Sequence, residues 1–182
     1  MRGDSTPTIT PPTGFALLRG GDATGGSSSR VTQWIYYKFS TGSESGTGTV
    51  AISGTSFDRA ARMYAFRDVA LTSFSEDAGF RIGDDDVVLA QSVTTTGTKR
   101  LAVSFVSLEN DNLNNVVSFT GESGGYDWTE AVGEFEFNGG DDLTMQLQSA
   151  TMDTAGTIQN GSYDTGWSSY RWVVTAFALI PR

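Results

Sequence analysis

Glu134-Phe135-Glu136-Phe137-Asn138-Gly139-Gly140-Asp141-Asp142-Leu143-Thr144-Met145-Gln146-Leu147-Gln148 is the stretch whose reading decides the fold. In an extended chain successive side chains point to opposite faces, so Phe135 and Phe137 fall on one side and the two glutamates on the other. Leu143, Met145 and Leu147 repeat the alternation against Thr144, Gln146 and Gln148. Alternation with a period of two predicts strands. The five residues between the two runs are turn formers, so the pair reads as a hairpin with a five-residue loop.

Working outward, residues 171–180 close the chain with Trp172, Val174, Phe177 and Leu179 and read as a buried strand. Residues 30–40 hold Trp34, Ile35, Tyr36, Tyr37 and Phe39, apolar on both faces, as an interior strand must be. Further strands are expected over residues 15–18, 49–53, 60–66, 85–93 and 99–108. Turns are expected at residues 20–26 and at Thr94-Thr95-Thr96-Gly97. The single stretch with helical spacing is 56–65, through Phe57, Ala60, Ala61 and Tyr64, and a strand or turn is preferred there. About nine strands with glycine-rich turns predict an all-β fold: an antiparallel β-sandwich of jelly-roll type. Residues 13–182 are expected to form a single β-sandwich domain. Residues 1–12, with Pro7, Pro11 and Pro12, read as an extended N-terminal arm, since proline fixes φ and removes a donor. Ile9 is almost its only apolar residue, so Pro7, Ile9, Pro11 and Pro12 are the candidate partner-binding residues. The bland alternative is a frayed end.

Composition narrows the function by subtraction. The 182 residues contain no histidine and no cysteine, which removes Ser-His-Asp and Cys-His triads, thiol redox pairs and the common zinc sites. A net charge of −9 with two lysines, Lys38 and Lys99, disfavours nucleic acid as a partner. No run approaches the roughly 18 apolar residues of a membrane span, and residues 1–7 lack the apolar core of an export signal. No cofactor, metal, membrane or nucleic-acid partner is expected, and no enzyme.

The remaining motifs are weighed against plainer readings. Arg2-Gly3-Asp4 is a tripeptide that recurs by chance. Asp84, Asp85 and Asp86 lack the alternate ligands, central glycine and closing glutamate of an EF-hand loop, so a solvated turn is preferred; Asp141 and Asp142 read the same way. Asn110, Asp111 and Asn112 form a polar loop of residues that tolerate tight turns. Glu134 and Glu136 share a face as a glycosidase pair would, but any strand with one wet face carries such residues. Gly20-Gly21 and Gly124-Gly125 lack the lysine or helix that would cradle phosphate.

Residues 10–18 (TPPTGFALL), Trp34-Ile35-Tyr36-Tyr37-Lys38, residues 62–69 (RMYAFRDV), Thr154-Ala155-Gly156-Thr157-Ile158 and residues 172–179 (WVVTAFAL) carry a resemblance. Together they resemble phage virion proteins of jelly-roll type: capsid decoration (cement) proteins, head fibres and tail-associated modules. A tryptophan is commoner in that family where this chain has Phe15. The resemblance implies a non-enzymatic virion component with no catalytic residues. The leading expectation is a capsid decoration protein on the outer surface of the shell. It would bind the major capsid protein and copies of itself as a homotrimer. The alternative is a carbohydrate-binding, lectin-like module of a head fibre or tail, with Trp128 and Trp167 as glycan contacts. A jelly-roll glycanase acting through Glu134 and Glu136 is the third reading.

Overall fold

The computed structural model describes residues 2–3, 7–24, 30–45, 47–53, 60–84, 87–89, 91–109, 118–120, 129–137, 143–158, 162–164 and 171–182. These are all-β and antiparallel, and no helix occurs among them. In chain order the strands are β1 (Arg2–Gly3), β2 (Thr8–Thr10), β3 (Ala16–Thr24), β4 (Arg30–Tyr37), β5 (Ala51–Ser53), β6 (Ser75–Gly83) and β7 (Val87–Leu89). They continue as β8 (Val93–Thr95), β9 (Arg100–Glu109), β10 (Ser118–Thr120), β11 (Thr129–Phe137), β12 (Leu143–Met152), β13 (Gly156–Ile158), β14 (Ser162–Asp164) and β15 (Trp172–Leu179).

The main sheet runs β11-β12-β9-β15-β6. Its β11–β12 hairpin has the expected register, with Phe137 opposite Leu143 and Phe135 opposite Met145. Smaller sheets run β1-β4-β3 and β10-β14-β7, and two ribbons pair β8 with β13 and β2 with β5.

All eight residues of β15 are buried. The cause is cover on both faces of the main sheet. On one face Val103, Leu147, Phe177 and Leu179 meet Leu18 and Ile35 of β3 and β4, together with Tyr64, Val69 and Phe74. Val31 joins Leu143 and Val173 on that side. On the other face Val106, Leu108, Trp172 and Val174 pack with Val88 of β7. Ala102, Ala150, Met152, Ala176 and Ala178 pack there with Val93 and Ile158 of the β8–β13 ribbon. Burying this many Val, Leu and Phe side chains, each worth roughly 1.5–3 kcal/mol, is the main source of stability. Polar ties fix the layers in register: Gln33 Nε2 donates to the Phe105 carbonyl at 3.2 Å and to Ser107 Oγ at 2.9 Å. At one end of the sheet Arg171 Nη1 pairs with Glu109 Oε2 at 3.0 Å.

Several local expectations are corrected. Gly20 to Thr24, expected in a turn over residues 20–26, continue β3 instead. A Cβ on Gly20 would stand 3.0 Å from Trp34 Cδ1, so glycine here admits an indole rather than a bend. Residues 60–66 form neither strand nor helix. The turn after β8 lies at residues 96–99, since Thr94 and Thr95 belong to the strand. Strand β6 was not anticipated; it is an edge strand of the main sheet, with Phe80 and Ile82 exposed. Gly83 of β6 lies opposite Trp172, whose indole fills the space a Cβ would occupy.

Candidate functional site

The N-terminal candidates come first. β2 pairs in register with β5, placing Ile9 opposite Ile52, and β1 pairs with the end of β4 through Arg2–Val31 and Gly3–Arg30. Pro7 is buried, and Ile9, Pro11 and Pro12 are half-buried. The Pro12 carbonyl accepts a hydrogen bond from Phe15 N at 3.2 Å, and its ring lies close over Gly48. Residues 2–3 and 8–10 are thus laid along the rest of the chain by ladders of two and three residues.

Trp128 and Trp167 lie outside the described residues, as do Asp85, Asp86, Asp141, Asp142, Asn110, Asp111, Asn112 and Asp4. Asp84 is exposed, and Glu134 and Glu136 lie in β11, an edge strand of the main sheet. Among the described residues no three Asp or Glu side chains gather closely enough to hold a metal ion.

Sequence reasoning missed a hollow of about 190 Å³ where β15 ends. Leu101 and Leu179 line it from the main sheet, and Phe66, Arg67, Asp68 and Lys99 line it from two bends. The chain beyond β15 is zipped to residues 68–74. Ala70 N donates to the Ile180 carbonyl (2.9 Å), Ile180 N to that of Phe74 (2.8 Å) and Arg182 N to that of Asp68 (2.7 Å). Asp68 and Lys99 both have φ of 55°, in the left-handed region. Asp tolerates that conformation through its short polar side chain; Lys does so at a steric cost.

The Lys99 bend is held from β6. Arg100 Nε pairs with Glu76 Oε1 at 2.5 Å, and Thr96 Oγ1 donates to Glu76 Oε2 at 2.8 Å. Burial pushes the Glu76 carboxyl up, but the hydrogen bonds from Arg100 and Thr96 outweigh it and hold the group below its ordinary value. A Cβ on Gly97 would overlap the Arg100 guanidinium, so a larger residue there would make that side chain shift. The hollow therefore joins an apolar floor to two exposed cations, Arg67 and Lys99, and one carboxylate, Asp68. Residues 66–69, 99–101 and 179–181 meet only through tertiary pairing, and no local sequence pattern marks that meeting.

No protein-family model, no curated protein and no solved structure matches this chain.

Proposed function

We propose that this chain is a non-enzymatic structural protein of a phage particle, a capsid decoration protein that binds the outside of the shell and stabilises it. Its architecture, in this reading, is a jelly-roll β-sandwich, assembled as a homotrimer on the major capsid protein. The observation that carries the proposal is a main sheet covered on both faces, joined to an N-terminal segment held by short ladders. The main sheet is covered on both faces and β15 is buried throughout. The segment is held by the two-residue β1 and three-residue β2 ladders. A protein that bridges neighbouring subunits needs a body that does not deform. It also benefits from an arm whose own ladders are short enough to exchange for contacts on a neighbour. Proline stiffening by Pro7, Pro11 and Pro12 lowers the entropy lost when such an arm orders on a partner. The test is location in intact particles by labelled antibody or particle imaging. Label over the shell supports the proposal, label over tail or fibres moves the protein to a glycan-binding module, and unlabelled particles overturn it.

A further inference from the structure

We infer that the hollow between Asp68, Lys99 and Leu179 is a docking site for an acidic segment of a partner protein, one carboxylate side chain seated beside one apolar side chain. The inference stands apart from the decoration reading, because it concerns the chemistry of the site and not the particle that would present the partner.

Charge is the first argument. The chain carries −9 overall, yet residues 59–67 contain Arg59, Arg62 and Arg67 and no acid. Among the described residues the side chains of Arg67 and Lys99 make no ion pair or hydrogen bond, although both line the hollow. An incoming carboxylate would find two donors with no competing partner to displace. Shape is the second argument. Leu101 and Leu179 floor the hollow, and 190 Å³ is well below the ~300–1,000 Å³ of small-molecule pockets. That space suits a side chain or two. Close to these lining residues in sequence, Met63 is 85% and Leu71 58% exposed.

Asp68 decides between classes of anionic partner. It stands between the two cations in sequence and lines the same hollow. Its carboxylate can accept hydrogen bonds from the backbone N–H groups of a peptide, donors that a lipid phosphate does not bring. The left-handed backbone at Lys99 adds a fourth observation, since such strain gathers at binding sites where surrounding structure enforces it. Here the Glu76–Arg100 pair enforces it.

The experiment titrates the full chain with an acetylated, amidated peptide of sequence Gly-Ser-Asp-Leu-Glu-Gly, followed by amide NMR. A control peptide replaces its Asp and Glu with Asn and Gln. The expected result is shifts centred on residues 66–69, 99–101 and 179–181 with the acidic peptide, weakening as salt rises. Replacing Arg67→Gln together with Lys99→Asn, which keeps a residue tolerant of the left-handed bend, should weaken binding by about fivefold or more. Salt dependence in the parent protein supplies a second reading that needs no variant. Equal binding of the neutral peptide, shifts elsewhere, or salt-independent binding overturns the proposal. So does sedimentation with phosphatidylglycerol vesicles without peptide binding, which would make the surface a membrane contact.

Discussion

β15 and residues 60–74 are both rich in apolar side chains, yet among the described residues one is buried throughout and the other lies largely on the surface. Trp172 to Leu179 contain no charged residue, so either face of the strand can be covered, and both are. Residues 60–67 carry Arg62 and Arg67, five positions apart. An odd separation puts the two arginines on opposite faces of any strand, so neither face could enter a core without burying a guanidinium. The segment instead stays irregular and sends in Ala60, Tyr64, Val69 and Phe74 as separate anchors, while Met63, Phe66 and Leu71 remain exposed. Charge placement, more than apolar content, separates a core strand from an apolar surface segment.

The sharpest way to break this comparison is to truncate the core. Phe177 is 3% exposed and stacks on Phe105 with ring centroids 5.9 Å apart. Phe177→Ala should cost about 3–5 kcal/mol. At roughly 2–4 °C per kcal/mol for a chain of this size, thermal melting should fall by about 10 °C or more. A fall under about 3 °C would mean that β15 is not the structural centre.

Removing residues 1–12 tests the segment held by short ladders. It deletes Ile9 opposite Ile52 and the buried Pro7, but no residue of the four main apolar clusters. The isolated protein should melt about 2–4 °C lower, roughly 1 kcal/mol at this size. Occupancy on purified particles should drop markedly. Failure to fold would place the segment in the core, and undiminished occupancy would make it a plain terminus.

The main hairpin, β12, β4, β9 and β15 were legible in sequence because each repeats one local rule over many residues. Phe135 and Phe137 alternate with Glu134 and Glu136, and β15 is simply free of charge. Strand β6 was not legible. Its alternation is confined to Ala78, Phe80 and Ile82, set among Gly79 and Gly83 and preceded by Glu76-Asp77, while its backbone pairing with β15 leaves no local mark. The hollow was illegible for the same reason on a larger scale. Arg67 and Lys99 are 32 residues apart, and Leu179 lies 80 further on. Their meeting depends on Val69 bridging Pro181 and on the Glu76–Arg100 pair. Residues that act through long-range backbone pairing leave no periodic trace.

The Glu76 clip gives a smaller effect with a defined sign. Its carboxyl is held below the ordinary 4.5 in the folded protein, so the unfolded chain takes up a proton first as pH falls. The stabilisation is complete above the ordinary carboxylate value and is lost as pH drops through the folded value. Glu76→Gln should therefore melt about 2 °C below the parent near neutral pH, with the gap closing below about pH 4. A gap that widens on acidification would show that the Arg100 and Thr96 contacts do not govern this group.

The smallest effect is the most diagnostic for the surface segment. Met63 is 85% exposed, and in the isolated chain its side chain has little apolar surface removed from water. Met63→Ser should change stability by no more than about 0.5 kcal/mol, hence melting by about 1–2 °C. The comparison with Phe177 is then quantitative, because both changes delete a large apolar side chain and only burial differs. A drop above about 4 °C that persists on dilution would place Met63 inside the fold and erase the distinction between the two regions. A drop that disappears on dilution would mean that another copy of the chain covers Met63 at high concentration, since association stabilises in proportion to the logarithm of partner concentration. A near-zero change for Met63→Ser beside a loss of about 10 °C for Phe177→Ala is the outcome that arginine placement at residues 62 and 67 requires.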